Sequence, residues 1–528
     1  MPFVIEPFTI KEVVDALKSI SADSAKGSTG IESKILKDCA DILAPHITKL
    51  YNNCLIHKKI PDDWKIAYLT PIYKGKGSKS ELTNYRPIST LPEIAKKFES
   101  LVATRITNYM EENNLLSNCQ FGFRKGLSCE LALNTLISNI REKVDKKHFV
   151  IPVFLDLSKA FDTINHQLLL IKLKFYNFDD STIALIENYL SNRTMIVKLN
   201  GSLSKSAKLE IGVPQGSVLG PLLFIIFIND LIYLQLQSKL IMFADDTTTL
   251  LSSLCIQDLT SKISIDLALI HEWLNHNHLI LNWDKTVAIL FQRTVQDYQS
   301  KHNPSIQLNN KSVKFVQETK ILGITLDNKL KFDKHIAITV SSVNRKTFLI
   351  SRNLKMFSSK VRSTLFKLFF LPYFDYCTTI FIHYGYAASK LKIEACFSKS
   401  INRLLKLNLN ESILTQQYEL LKAYNILPPA LRQLYHLCSF ILIVLKNNKL
   451  ELNKTIKSLK NTRDSRSCPY QLPLFKQEIG QFSFVTITIK LLNKFLHNKI
   501  LNLKYSIIKG DIKKNIIQIY EASEAFYT

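Results

Sequence analysis

The chain predicts an α+β fold built around a split β-α-β sheet, and three observations carry that expectation. Phe149-Val-Ile-Pro-Val-Phe-Leu155 is a nearly unbroken apolar run, the pattern of a strand buried on both faces. Lys239 to Leu251 holds two β-prone apolar runs on either side of Asp245-Asp246, which reads as a hairpin with the acids at its turn. Helical periodicity fills most of the chain between and around them. In a split β-α-β sheet the end of the first strand lies beside the hairpin turn. Asp156, which ends the apolar run, and the Asp245/Asp246 pair would then share one pocket, although about ninety residues separate them.

Size and charge narrow the partners. The 528 residues allow two to four domains, and 46% hydrophobic with 21% charged residues is ordinary for a globular protein. A formal net charge of +25 suits a polyanion, either nucleic acid or an anionic membrane face. Twenty Tyr and thirty Phe supply stacking platforms for single strands, although most of them belong to the core. Nine irregularly spaced Cys with no C-x-x-C pattern read as reduced thiols of an intracellular protein. Glu6 and Lys11-Glu12 interrupt the first stretch, so no signal peptide opens the chain. Leu219 to Leu234 is short and broken by Asn229 and Asp230, so it reads as a buried helix and not a membrane span. No basic run is distinctive enough to choose between nucleus and cytoplasm.

In order along the chain, Thr9 caps a helix bearing Val13, Val14, Leu17 and Ile20. After the loop Lys26-Gly30, a second helix runs from about Ser33 to Leu43 and a third from Pro45 to His57. Ile66 to Tyr73 is a strand, Lys74 to Lys79 a flexible basic loop, and Asn84 to Ser89 the returning chain. A hairpin with Lys74 at its tip and Arg86 on its return is either a triphosphate clamp, pairing a mobile point charge with a fork, or a solvated basic loop. Residues 93–147 are helical, broken by the basic, aromatic loop Asn118 to Gly126. A carboxylate at the end of a buried strand is costly unless paired or bound to metal, which singles out Asp156. Leu157 to Asp162 turns into a helix carrying Leu168, Leu169, Leu170 and Leu173.

Asn200-Gly201 inside Ile196–Ile211 is a strong hairpin signal. Gly212-Val-Pro-Gln-Gly-Ser217 follows, with a helix from about Ser217. Its glycines let backbone approach a ligand while Gln215 reads a base or sugar, or the segment is simply a helix-capping loop. After the Asp-Asp hairpin come a helix over Ile256–His276, a strand over Val287–Phe291 and a strand-turn over Lys320–Asp327. From about residue 333 the chain is helical and basic. Arg345, Lys346, Arg352, Lys355, Lys360, Arg362 and Lys367 could follow a nucleic-acid backbone or face solvent from a helical bundle. The implied divisions are a helical extension over 1–54, a main domain over 55–327, a helical region over 328–450 and a last region over 451–528 that holds no legible motif.

Three carboxylates on one sheet edge suit two Mg²⁺ ions roughly 3.5 to 4 Å apart, because Mg²⁺ takes hard oxygen ligands and keeps some water. The matching reaction is nucleotidyl transfer, in which catalysis is mostly positioning and charge neutralisation.

The same residues carry a resemblance. Asn84-Tyr-Arg-Pro-Ile-Ser89, Gln120-Phe-Gly-Phe-Arg-Lys-Gly126, Phe154-Leu-Asp-Leu-Ser-Lys-Ala-Phe-Asp162, Gly212-Val-Pro-Gln-Gly-Ser217, Phe243-Ala-Asp-Asp246, Leu281-Asn282 with Lys285-Thr286, and Leu322-Gly323 stand in one order. In that order they resemble the reverse transcriptases of non-LTR retrotransposons, the jockey-like long interspersed elements. The likeness spans about residues 65–327, with weaker similarity on both sides.

It implies a right-hand polymerase with fingers, a palm holding the split β-α-β sheet, and a helical thumb after residue 333, between helical N- and C-terminal extensions. Asp156, Asp245 and Asp246 would bind the metals, with the Leu157 carbonyl as a further ligand. Phe161 would wall off a ribose 2′-hydroxyl. Gln215 and Gly216 would contact the incoming nucleotide and template, Lys74 and Arg86 the triphosphate, and Lys285 would serve as acid for the leaving pyrophosphate. Leu322-Gly323 would belong to the primer grip. The partners would be an RNA template, a DNA primer or nicked target DNA, and dNTPs, with no membrane and with protein partners open.

Lys26-Gly27-Ser28-Thr29-Gly30 lacks the Pro and Asp usual in the family, and Cys129 replaces a more usual Thr. An endonuclease ahead of the polymerase and a terminal Cys/His knuckle are also missing, which suggests a truncated element or a fragment of a longer frame. The leading expectation is therefore an RNA-directed DNA polymerase. A catalytically silent nucleic-acid-binding remnant is the alternative, favoured by the ends and the charge and opposed by the intact triad. RNA-directed RNA polymerases are disfavoured by Phe161, and intron maturases by the lack of a matching tail.

Overall fold

The structure, a computed structural model, describes residues 2–75, 77–292, 304–308, 311–381, 387–406, 423–427, 429–447, 450 and 454. Region 451–528 therefore lies outside the described residues except for Lys454. Contacts divide the chain into two compact units. The first comprises Met1–Phe123, Leu155–Thr247 and Ser264–Thr286; the second comprises Arg124–Phe154, Thr248–Ile263 and the described part of Val287–Thr528.

The elements in chain order are α1 (Ile10–Lys18), α2 (Ser33–Asp38), α3 (Ala40–His57), β1 (Ile66–Tyr73), β2 (Tyr85–Thr90), α4 (Glu93–Glu112), α5 (Cys129–Asp145) and β3 (Phe149–Leu155). Then come α6 (His166–Phe175), α7 (Asp180–Leu190), β4 (Arg193–Leu199), β5 (Ser202–Leu203), β6 (Ala207–Leu209), α8 (Leu219–Phe227), β7 (Lys239–Phe243), β8 (Asp246–Ser253) and α9 (Ile256–His276). The chain continues through β9 (Val287–Ala288) and short hairpins to α10 (Asp333–Ser351), α11 (Ser359–Phe369), α12 (Leu371–Asp375), α13 (Thr378–Phe381), α14 (Ala387–Leu405) and a last described helix, Pro429–Lys446. The mixed α and β content agrees with the expected class.

In the first unit, α1 starts on a capping box in which the Thr9 side chain accepts from the Glu12 amide and the Glu12 carboxylate accepts from the Thr9 amide. The expected break between the second and third helices falls earlier than the sequence suggested. Cys39 leaves helical geometry, and α3 runs through Pro45, which forfeits one amide bond near the helix start. Phe8, Tyr51, Trp64 and Phe98 pack ring to ring at centroid distances of 5.3–6.3 Å, and the Tyr51 hydroxyl donates to the Ile94 carbonyl. They anchor α1, α3 and α4 in one core.

The unit's sheet has β1 at its centre. β2 pairs with it antiparallel, from Tyr68↔Thr90 to Tyr73↔Tyr85, as the sequence predicts. On its other edge β4 lies parallel, Ile66 facing Thr194, a pairing that the sequence does not reveal. The Asn200-Gly201 turn forms with both residues at positive φ, the requirement of a tight hairpin turn, and β6 returns along β4. α8 starts at Leu219, two residues later than predicted, because Ser217 spends its hydroxyl capping the Gly220 amide. Every residue from Leu222 to Phe227 is buried. That accounts for the apolar run, and no described helix is long and apolar enough to cross a membrane.

In the second unit β3 pairs antiparallel with β9, Val153 facing Ala288, and β9 takes Lys314–Phe315 alongside it in parallel. The strand predicted to reach Phe291 is only two residues long. Phe291 instead returns by itself, exchanging two backbone bonds with Val150. Glu318–Ile321 and Ile324–Asp327 form the expected strand-turn, with Leu322 and Gly323 at positive φ. Beyond it, Phe366 and Phe370 stack at 5.4 Å while Phe397 meets Phe366 edge-on, tying α11 to α14.

Candidate active site

The site lies in the first unit, where the chain leaves β3. Asp156 gives its amide to the Thr286 hydroxyl at 3.4 Å, and its carbonyl accepts from the Asn282 amide at 2.8 Å. The next residues continue this strand-like contact, Ser158 donating to the Ile280 carbonyl. These bonds fix the backbone on both sides of Asp156, and the Leu157 carbonyl takes no part in them.

Asp245 sits in the β7–β8 turn behind Ala244, which adopts a positive φ of 55°, and Asp246 is the first residue of β8. Both carboxyls are pushed up from their ordinary range. For Asp245 the chief cause is loss of water, with the charge of Asp156 adding to it. Asp246 keeps contact with solvent on one side, yet loss of water, Asp245 and Asp156 together bring it to about 6. Asp156 thus lies within electrostatic reach of both Asp245 and Asp246. They stand apart rather than touching: among the described residues, no group of three or more His, Cys, Asp and Glu side chains is close enough to hold a metal ion. Asp156 is ion-paired to Lys285, whose Nζ lies 3.4 Å from its Oδ2. Lys285 rides on a tight turn in which the Asn282 side chain accepts from the Lys285 amide and the Asn282 carbonyl from the Thr286 amide.

The glycine loop forms a second group. Gln215 donates from Nε2 to Asp162 Oδ1 at 2.8 Å, and its carbonyl accepts from the Ser89 amide at 2.8 Å. Gly212 and Val213 donate to the carbonyls of Ile164 and Phe161. Two glycines are obligatory here. A Cβ on Gly212 would stand 2.6 Å from the Asp162 carbonyl oxygen and one on Gly216 2.7 Å from that of Ser89, both at positive φ. Phe161 stacks on Phe224 at 4.5 Å and meets Phe123 edge-on, leaving part of its ring in solvent. Phe161, Gln215 and Gly216 therefore belong to one constellation joined to β2 through Ser89.

Lys74 and Arg86 are exposed on the β1–β2 hairpin. Lys74 folds back to donate to the Thr83 carbonyl, while Arg86 makes no ion pair among the described residues. Among those residues, no ion pair or hydrogen bond joins either to the carboxylates.

Sequence reasoning missed the brace that holds the acidic turn. Gln120 is buried, and its Oε1 accepts from the amides of Ala244, at 2.9 Å, and Gly122, at 2.8 Å. On either side, Met242 donates to the Cys119 carbonyl and Phe121 to the Met242 carbonyl. The segment therefore runs beside β7 like an extra parallel strand, with Gln120 facing Met242. Gly122 packs directly on the turn: a Cβ there would stand 2.4 Å from the Ala244 nitrogen. The polar Gln between apolar neighbours was the available signal, but the basic residues after it pointed to ligand binding instead.

The sequence is similar to those of known proteins. Residues 74–326 match the reverse transcriptase (RNA-dependent DNA polymerase) family. The chain is 31% identical over 346 residues to a probable RNA-directed DNA polymerase from transposon BS of Drosophila melanogaster, covering 64% of this chain and 38% of the relative. The corresponding Drosophila melanogaster protein of transposon X-element is 30% identical over 385 residues, with 71% and 42% covered. The RNA-directed DNA polymerase from mobile element jockey of the same organism is 28% identical over 417 residues, with 76% and 44% covered. The chain thus spans about two-fifths of the length of these curated relatives.

Proposed function

We infer that this chain, whose residues 74–326 carry a reverse transcriptase domain similar to those of jockey-type non-LTR retrotransposons, extends a DNA 3′-end on an RNA template using dNTPs. The observation that carries the reading is the approach of Asp156 to Asp245 and Asp246, carboxylates from distant parts of the chain, with the charge of Asp156 pushing both hairpin carboxyls up. Hard oxygen donors are what a divalent cation takes, and Asp156, the Leu157 carbonyl, Asp245 and Asp246 would hold it by drawing closer than they stand in its absence. Two Mg²⁺ ions bound there would supply charge neutralisation and activate the primer hydroxyl.

The chain's own residues would do the rest. Lys285, ion-paired to Asp156 at 3.4 Å, would be released to protonate a leaving pyrophosphate once metal takes over that carboxylate. Gln215, held by Asp162, and Gly216, pressed on Ser89, would shape the floor under the incoming nucleotide. Lys74 and Arg86 would meet its triphosphate. In this reading β1, β2 and β4 belong to the fingers, the sheet around β3 to the palm, and α10 onward to the thumb.

The primary test is extension of a DNA primer on an RNA template by the full chain with dNTPs and Mg²⁺. Extension supports the reading. Its absence, with RNA still bound, supports a silent nucleic-acid-binding remnant. Two further outcomes follow. Mg²⁺ should raise the melting temperature of the wild type, because it relieves the repulsion among the three carboxylates, and should do so markedly less in Asp246→Asn; equal shifts in both would remove the metal from this site. Phe161→Ala should weaken rejection of ribonucleotides about tenfold or more, because the ring is braced by Phe224 and Phe123 as a rigid wall. Unchanged relative kcat/KM for rNTP and dNTP would take Phe161 out of that role.

A further inference from the structure

α8 starts without a capping side chain of its own: Val218 stands at its N-cap, and its first turn holds no Asp or Glu. The unpaired amides of that turn are met from another helix. Glu99 of α4, 119 positions earlier and only 2% exposed, accepts through Oε2 from the Val218 amide at 2.7 Å and the Leu219 amide at 3.1 Å. Burial pushes its carboxyl up from the ordinary range, against the pull of the Arg193 charge and of these two amides. Arg193 is buried as well. Its Nη1 donates to the Tyr189 carbonyl at 2.9 Å, and its guanidinium lies 4.5 Å from the centre of the Tyr189 ring. Its Nε and Nη2 take no hydrogen bond among the described residues. Carboxyl groups are costly in such a place. An apolar side chain would fill the space at lower cost, but it could not hold the two amides.

We propose that Glu99 is a positioning residue for the incoming nucleotide: it holds the Gly212–Ser217 loop at the height where Gln215 and Gly216 form the nucleotide's floor. The loop is tight enough to transmit that hold. The Ser217 amide and hydroxyl both donate to the Pro214 carbonyl, at 3.1 and 2.8 Å, and the hydroxyl accepts from the Gly220 amide at 3.1 Å. A pull on residues 218 and 219 therefore moves residue 215. The same piece of chain holds the loop a second time. Ser89 of β2 donates to the Gln215 carbonyl, and α4 begins at Glu93, directly after β2 ends at Thr90. β2 and α4 thus grip the loop at two points, and β2 also carries Arg86. Triphosphate contact and floor are then referred to one rigid element, with the reach of Glu99 setting the gap. The inference rests on the proposed function, in which both groups meet the nucleotide. In this role the length of residue 99 matters more than its charge, because one oxygen takes both amides and a neutral amide oxygen can do the same.

Glu99→Asp and Glu99→Gln separate reach from charge. The aspartate keeps the charge and falls one methylene short of the amides, whereas the glutamine keeps the length. Each full-length variant is given a DNA primer on an RNA template, and dNTP incorporation is measured beside hydrogen exchange in the peptide covering residues 213–222. Glu99→Asp should raise KM for dNTP about tenfold with kcat within about threefold of the wild type, the mark of lost nucleotide binding. Glu99→Gln should stay within about threefold of the wild type in both constants. Exchange at residues 218 and 219 should quicken in the same order, most in Glu99→Asp. Tyr51→Phe is the control for a loosened α4. It removes the bond from the Tyr51 hydroxyl to the Ile94 carbonyl and should lower the melting temperature without moving KM. Wild-type KM in Glu99→Asp, a larger rise in Glu99→Gln than in Glu99→Asp, or an equal rise in Tyr51→Phe would overturn the proposal. If the wild type fails to extend the primer, the polymerase reading falls, and the order of exchange rates decides by itself whether Glu99 holds the loop.

Discussion

Asp245→Asn is expected to cut nucleotide incorporation by about a thousandfold or more while RNA binding stays close to that of the wild type. Asn keeps the size and one carbonyl oxygen of Asp245 but removes the charge, and the charge is what a metal at this turn requires. Losing several kcal/mol of electrostatic stabilisation in the transition state corresponds to a loss of that order. The fold should tolerate the change well, because the wild-type carboxyl is already strained by lost water and by Asp156. Binding rests on basic groups elsewhere. Single-turnover primer extension and RNA anisotropy on the same preparation make the comparison. If incorporation and binding fall together, Asp245 is structural; if incorporation survives, the two-metal reading fails.

Gly122→Ala is expected to be nearly as damaging, although position 122 touches no substrate. The added methyl would stand 2.4 Å from the Ala244 nitrogen and 3.0 Å from the Phe243 carbonyl carbon, both backbone atoms with no rotamer to yield. Ala244 is already at positive φ, and Gln120 holds its amide, so the turn cannot move away without breaking that bond. Overpacking of this kind typically costs about 1–3 kcal/mol. The predicted result is a melting temperature lower by several degrees and incorporation lower by about a hundredfold, because Asp245 follows Ala244 directly. Gly126→Ala is the control: Gly126 has a positive φ, but nothing lies within 4 Å of its would-be Cβ, so only backbone strain remains. Equal activity losses in the two variants would mean that contact with the turn is not the cause.

Much of this site was legible in the residues because its parts are local patterns. Phe149–Leu155, the Asp-Asp hairpin and the Asn200-Gly201 turn each announce themselves within a dozen residues, and each forms where the sequence places it. Neither the parallel pairing of β1 with β4 nor the Gln120 brace could be read that way. Both depend on residues more than a hundred positions apart, and nothing in hydrophobic periodicity encodes which edge of β1 is filled. The helix boundaries at Cys39 and Leu219 moved for a different reason. A single lost amide bond at Pro45 and a serine cap at Gly220 are small effects that packing can override or redirect.

The parallel pairing of β1 with β4 also bears on how the protein is made. The ribosome completes the β1–β2 hairpin well before it reaches β4, since Ile66 and its partner Thr194 are roughly 130 residues apart. At about 5–20 residues per second, the free edge of β1 waits some 6–26 s for its neighbour. Such an unpaired edge is a template for pairing with other chains. Nascent polypeptides crowded on one message should therefore be most prone to clumping in that interval, and slower initiation or a chaperone that covers residues 66–73 should raise the soluble yield more than any change near the acidic turn.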